Sequence, residues 1–313
     1  MLGKTANGLF WMFRLLERSE NTARMIETGQ RIALTRAEAS DDEWASILQA
    51  AAVSQGYHAK FDEVTRDKAI DWMLRDKDNP SSVRSVIGTA RNNARMVRTA
   101  LTNEVWEAVN SCYIRLNEVL ARKVSERDLP KALEIIRQRS AFVRGATHGT
   151  MMRNDCYDFA RLGTFIERAD NTARILDVKY YVLLPSALSV GSSLDNVQWE
   201  TILRSVSAHG GYRMTHGHKV SPRAIAEFLV LDPRMPRSLF FCTGKLRDNL
   251  GYLASDYGMK QPSHMMVDEL CRRFMSHDID AIFDYGLHEY IQDVIGTLGG
   301  LSRQIEIDYR FYE

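Results

Sequence analysis

Residues 16–24 read LERSENTAR, and residues 166–174 read IERADNTAR. The period of an α-helix puts Glu17, Glu20, Asn21 and Arg24 on one polar band, with Glu20 able to pair with Arg24 at i,i+4. Beside that band Leu9, Met12, Leu16, Ala23 and Ile26 form an apolar stripe that Ser19 completes as a small contact. Arg18 lies about 100° further round than Glu17. A helix with an apolar stripe, a polar edge and an arginine off the stripe is expected to be surrounded on several sides. Glu167, Arg168, Asp170, Asn171 and Arg174 repeat the arrangement. The two helices are therefore expected to lie side by side, the glutamate of each bonded to the arginine of the other.

Two further blocks recur in the same order. Trp44, Ile47, Leu48, Gly56 and Tyr57 match Trp199, Ile202, Leu203, Gly211 and Tyr212, and NPSSVRS at 79–85 is echoed by DPRMPRS at 232–238. The three offsets are 150, 155 and 153 residues. Three ordered echoes argue for an internal duplication. The expectation is an all-α protein of two tandem helical-bundle units, 1–150 and 151–313, related by a pseudo-twofold axis. Strand alternation is almost absent. Beyond the first helix, helical periods cover about 41–55, 65–76, 81–102, 104–124 and 130–148, then 156–182, 196–208, 221–231, 235–256, 264–275 and 280–311. Pro80 and Pro130 suit first turns, Asn79 is a candidate cap, and the glycine pairs at 210–211 and 299–300 are expected to break or kink helices.

The 313 residues, 45% hydrophobic and 26% charged, suffice for a large core. A formal charge of +1 gives no global field to draw nucleic acid or an anionic membrane, so any polyanion site must be local. The aromatics sit at core spacing rather than in a nucleic-acid stacking pattern. Cys112, Cys156, Cys242 and Cys271 are scattered without a C-x-x-C pair, which fits reduced thiols and a cytoplasmic location. The apolar opening GLFWMF is interrupted by Arg14, Glu17 and Arg18, unlike a secretion signal. The longest uncharged run, Tyr180 to Leu194, contains Pro185 and falls short of the roughly 20 apolar residues that span a bilayer.

Candidate chemistry concentrates on the repeated strings. Glu17 with Arg18 and Glu167 with Arg168 form either an ion-pair network that sets how the units dock, or a charged pocket with acid/base carboxylates and anion-holding arginines. Asn21, Arg24, Asn171 and Arg174 belong to the same candidate ligand-binding set. Arg84, Arg91, Arg95 and Arg98 share one helical face, suited to phosphate or to a solvated surface with carboxylate partners. Ser85, and Arg237 with Ser238 in the echoing block, suit either capping and interhelix bonding or an anion contact at a helix start. His209, His216 and His218 are read as a glycine-rich loop of three imidazoles without an acidic or thiolate partner at convincing spacing; no metal is expected. His148 and Asp155 near Arg144 and Arg153 suit either local turn bonding or a part in a site at the entrance to the second ER helix. TGK at 243–245 lacks both the upstream glycine and the final Ser or Thr of a phosphate loop, and no cofactor is expected.

Through LLERSENTARMIE at 15–27, NPSSVRS, LGTFIERADNTARILD at 162–177 and LDPRMPRS at 231–238, nearly the whole chain resembles the bacterial alpha-E family, helical domains with an ER motif. Phe13 stands where that family often has glycine and Thr164 where it often has a basic residue, so close helix approach is not expected at 13, nor an anion contact at 164. The resemblance implies companionship with circularly permuted ATP-grasp ligases and transglutaminase-like cysteine peptidases, in systems that make or modify peptides by amide-bond formation. It implies an accessory scaffold that binds the ligase, its amino-acid or peptide substrate, or both. The rival is an enzyme of the same pathway, with Glu17 or Glu167 as acid/base groups and Arg18, Arg168, Arg84 and Arg237 as anion holders.

Overall fold

The computed structural model of the chain describes residues 1–33, 41–183, 193–218 and 220–312, and among these the regular elements are all helical. At the centre lie α1 (Gly3–Ala33) and α8 (Asp155–Leu183), the helices that carry the repeated strings. Far more of α1 is buried than its stripe: Phe10, Phe13, Leu15 and Met25 join the apolar core, and Glu17, Glu20 and Arg24 are buried with them. Neighbours on several sides explain this, because α8, α5, α7, α2 and α9 all pack against it.

Around α1, a ring closes through α5 (Val83–Met96), α6 (Asn103–Val119) and α7 (Leu129–Thr150), each packed on the next and α7 back on α1. Around α8, the same order holds for α12 (Leu239–Tyr257), α13 (Pro262–Ser276) and α15 (Leu287–Asp308). Two shorter helices brace the central pair from opposite parts of the chain. Both α2 (Asp41–Ala50) and α9 (Ser193–Ser205) touch α1 and α8 alike. Trp44, Ile47 and Leu48 of α2 and Trp199, Ile202 and Leu203 of α9 are buried. The remaining helices are α3 (Ser54–His58), α4 (Arg66–Leu74), α10 (His209–His216), α11 (Pro222–Val230) and α14 (Ile279–Tyr285).

The central pair runs in the same direction, because contacts advance along both together: Gly163 meets Phe10 and Arg14, and four residues later Glu167 meets Arg14, Arg18 and Asn21. A Cβ on Gly163 would stand 2.1 Å from the Phe10 carbonyl oxygen and 3.2 Å from the Arg14 nitrogen. The helices therefore touch backbone to backbone at 163, while Phe13 keeps its ring buried without needing such an approach.

Several local expectations change. The 280–311 stretch is two helices, divided at Gly286, whose φ of 107° strongly favours glycine. Gly299 and Gly300 lie inside α15, and Gly210 and Gly211 inside α10, so neither pair breaks a helix. Ser82, rather than Asn79, caps α5, its hydroxyl accepting from the Ser85 nitrogen; Asn79 accepts from the Ser81 nitrogen and donates to the Trp72 carbonyl. Pro130 does sit in the first turn of α7. The uncharged run from Tyr180 lies for the most part outside the described residues, including Pro185. Among the described residues no helix is long and apolar enough to cross a membrane.

Helices α2 and α9 end alike. Ala52 takes φ 55° and Ser207 φ 54°, with the following amides bonded back, Val53 N to Leu48 O at 3.0 Å and Ala208 N to Leu203 O at 2.7 Å. This left-handed termination normally falls to glycine. Ala52→Gly is expected to raise the unfolding free energy by about 1 kcal/mol by relieving the Cβ penalty. Chemical denaturation of the two proteins checks it; Ser207 is a poorer choice because its hydroxyl accepts from Arg24.

Candidate functional site

The exchange between the ER strings is crossed. Arg168 donates to both oxygens of Glu17, Nε to Oε1 at 2.9 Å and Nη2 to Oε2 at 3.1 Å. Arg18 does the same to Glu167, at 2.6 and 2.9 Å. Each ER string thus supplies the acceptor for the other's guanidinium, in the two-pronged geometry that makes such pairs strong.

Around the Glu17 side the network continues inward. Arg237, reaching in from just before α12, donates to Glu17 at 3.2 Å, to Glu20 at 2.8 Å and to the Asn21 side-chain oxygen Oδ1 at 3.5 Å. Arg144 of α7 donates to Glu20 at very short range and to Glu17 at 3.5 Å. Arg24 bonds Glu20 one turn back, as its spacing requires, and reaches the Ser205 carbonyl and the Ser207 hydroxyl at the end of α9. Two buried carboxylates therefore face four guanidiniums.

The Glu167 side is built differently. Arg14 replaces the inward arginines, donating to Glu167 at 2.9 Å and to the Ser302 hydroxyl at 2.6 Å. Thr164, at the place in α8 that matches Arg14 in α1, only returns its hydroxyl to the Ala160 carbonyl. Asn21 donates to the Glu167 carbonyl at 3.3 Å. Arg174 pairs with Asp170 at 2.7 Å and reaches the Ala50 carbonyl at the end of α2 at 3.5 Å.

Burial pushes the Glu17 carboxyl up, and Arg168, Arg237 and Arg144 together more than reverse this, leaving it far below the usual carboxylate range. For Glu167, burial is likewise outweighed by Arg18 and Arg14, which hold the group at about 2. Burial pushes the Arg237 guanidinium down to about 10, still protonated at neutral pH. Carboxylates held ionised, with both oxygens engaged by fixed guanidiniums, suit counter-ions better than groups that must take up and release a proton.

Beside the Glu167 pair a cavity of about 490 Å³ opens between α1, α8 and α15. Arg14, Arg18, Arg174 and Arg303 line it against only two acids, Glu167 and Asp170, with Met25, Val53, Met73 and Ile295 as apolar wall. Asn171 also faces it, and its buried carboxamide nitrogen has no hydrogen-bond partner. Gly296 and Gly299 form the α15 side, where a Cβ would meet nothing within 4 Å.

The other candidates stand apart. Arg84 and Arg91 of α5 meet Asn117 and Asn110 of the antiparallel α6, and Arg98, in the 3-10 turn Arg98–Ala100 that follows α5, meets Asn103 at the start of α6, continuing the steps of seven. Arg91 also lies over Tyr113, and Arg98 over Trp106. These arginines find amide oxygens and aromatic faces instead of the carboxylates expected for that face. Ser238 caps α12 through the Phe241 nitrogen, and Ser85 bonds Ser82 within the α5 cap, so both serines have helix-start roles. His209 and His216 lie on a helix rather than a loop, His216 stacked on Tyr212 and His209 beside Arg204. His148 bonds Tyr157 and Arg161, and Asp155 accepts from Tyr257. The four thiols are unpaired, and burial pushes Cys112 and Cys242 to about 12. Arg14, Arg144 and Arg303 join the site without having been singled out for it; one turn before Arg18, Arg14 had a readable position, whereas nothing local marks the other two.

A helical protein organised around a crossed Glu–Arg exchange between its central helices is the class that fold and site define. The chain belongs to the Alpha-E family, described as a predicted alpha-helical domain with a conserved ER motif, whose pattern matches residues 1–309. Among curated relatives, uncharacterized proteins of Mycobacterium bovis and of Mycobacterium tuberculosis strain CDC 1551 are each 25% identical to it over 329 residues. A third, from Mycobacterium tuberculosis strain H37Rv, is 24% identical over the same length. The alignments cover 96% of this chain but only 36% of each relative. No solved structure matches it.

Proposed function

We propose that the chain is an accessory scaffold of an ATP-grasp-type system that forms peptide or amide bonds, binding the ligase, its amino-acid or peptide substrate, or both. Its partners in this reading are a circularly permuted ATP-grasp ligase and a transglutaminase-like peptidase, in the cytoplasm. The supporting observation is the saturation of the ER carboxylates: Glu17 and Glu167 are consumed in fixing α1 against α8, which favours a rigid frame over proton-transfer chemistry. The frame reads as two fused copies of one ancestral unit, 1–150 and 151–313, about a pseudo-twofold axis. Support for that reading comes from the matching rings around α1 and α8, the matching left-handed ends of α2 and α9, and the crossed reach of Arg24 to Ser205 and Arg174 to Ala50.

Size-exclusion chromatography with a circularly permuted ATP-grasp ligase from the same genome tests the proposal. A shared peak with the ligase, with or without amino-acid substrate, is the expected result. Separate elution under both conditions overturns ligase binding and leaves the scaffold reading to stand or fall on binding of the amino-acid or peptide substrate.

A further inference from the structure

The two sides of the ER exchange are filled unequally, and the hollow one has the makings of a ligand site. On the Glu17 side, Arg144 from α7 and Arg237 both bond the carboxylates. On the Glu167 side, α15 presents Gly296 and Gly299, and a cavity of about 490 Å³ remains. Three donor groups there are unspent. Arg303 has no carboxylate partner among the described residues, the Asn171 carboxamide nitrogen is buried without an acceptor, and Arg18 uses only Nε and Nη2 on Glu167. A buried donor left unpaired is costly, and an acceptor from a ligand removes that cost.

We infer that this cavity binds a small ligand through an oxyanion, a carboxylate or a phosphate, held by Arg303, Asn171 and Arg18, with its apolar body against Met25 and Met73. Four lining guanidiniums against two carboxylates leave two positive charges for the anion to meet. The volume falls within the ordinary range for small-molecule sites, roughly 300–1,000 Å³. An amino acid or a short peptide fits the combination of charged head and apolar wall. The site rests on the substrate-binding part of the scaffold proposal and deepens it, but its test needs no ligase, so failure of complex formation and failure of binding are separate results.

Isothermal titration of the full chain decides it, using N-acetyl-leucyl-leucine, its C-terminal amide and inorganic phosphate as probes. Binding of the free acid but not the amide assigns the anion as a carboxylate; binding of phosphate alone assigns a phosphate ester. Equal binding of acid and amide, or no heat from any probe at millimolar concentration, overturns the inference. Arg303→Met, on the exposed side of α15, is expected to weaken binding about tenfold, and Gly299→Trp to abolish it by filling the hollow, both with unchanged thermal midpoints or a small rise. Undiminished affinity in Arg303→Met overturns the assignment even if Gly299→Trp fails to fold.

Discussion

Glu17→Gln is expected to lower the free energy of unfolding by about 3–5 kcal/mol, the range found when one member of a buried ion network is removed. The substitution keeps the shape and removes the charge. It turns an acceptor oxygen into an N–H2 group facing Arg168, Arg237 or Arg144, and leaves Glu20 alone among four guanidiniums. Against a total stability that for most domains is only about 5–15 kcal/mol, this is a large fraction. Urea denaturation at neutral pH measures it. Glu167→Gln is expected to cost less, because Glu167 is less deeply buried, with a side-chain exposure of 6% against 1% for Glu17, and meets two guanidiniums, Arg18 and Arg14, where Glu17 meets three, Arg168, Arg237 and Arg144.

The same carboxylates set the acid limit. Both have folded-state pKa values below the ordinary 4.5, Glu167 at about 2 and Glu17 lower. The unfolded chain therefore binds more protons than the folded one below about pH 4.5, and stability falls as the pH falls. Their contribution is complete above that point and is lost progressively as the pH drops through 4 toward 2. The slope of stability against pH between 5 and 3 should be shallower in Glu17→Gln than in the parent; identical slopes would show that Glu17 does not titrate as the geometry requires.

Sequence carried the central exchange because it depends only on helical period. Once α1 and α8 face each other with their polar bands in register, Glu17 must meet Arg168 and Arg18 must meet Glu167, and Glu20 lies one turn from Arg24 whatever the tertiary fold. Arg144 enters from α7 and Arg237 from the turn before α12, so their choice of Glu17 and Glu20 depends on how those elements pack, which no local pattern encodes. Arg84 shows the converse: it echoes Arg237 in sequence, yet it meets Asn117 across α6 and stays out of the network. Glycines show the same limit. The pairs at 210–211 and 299–300 suggest breaks, but a glycine inside a helix is tolerated where its neighbours hold the helix, and the break at Gly286 is marked by its φ of 107°. The cavity was equally hidden, since it arises from side chains that Gly296 and Gly299 do not have.

Gly163→Ala is the more demanding test of the central packing. The added methyl would lie 2.1 Å from the Phe10 carbonyl oxygen, a backbone atom that no rotamer change can move aside. Either α1 and α8 separate along their contact, or one helix shifts past the other. Separation pulls Arg18 off Glu167 one turn further on, and a shift breaks the two-pronged fit of Arg168 to Glu17, so steric strain and ion pairing fail together. Overpacking alone costs about 1–3 kcal/mol, and the coupled loss of charge pairing should carry the total to the upper end or beyond. Helix propensity works the other way, favouring alanine by about 1 kcal/mol, so a net loss cannot be laid to the helix itself. Combining Gly163→Ala with Glu17→Gln in a double-mutant cycle separates the two contributions. If the network depends on that contact, the costs fall short of additive by about 1 kcal/mol or more; simple additivity would mean that the helix contact and the Glu–Arg exchange hold the centre independently.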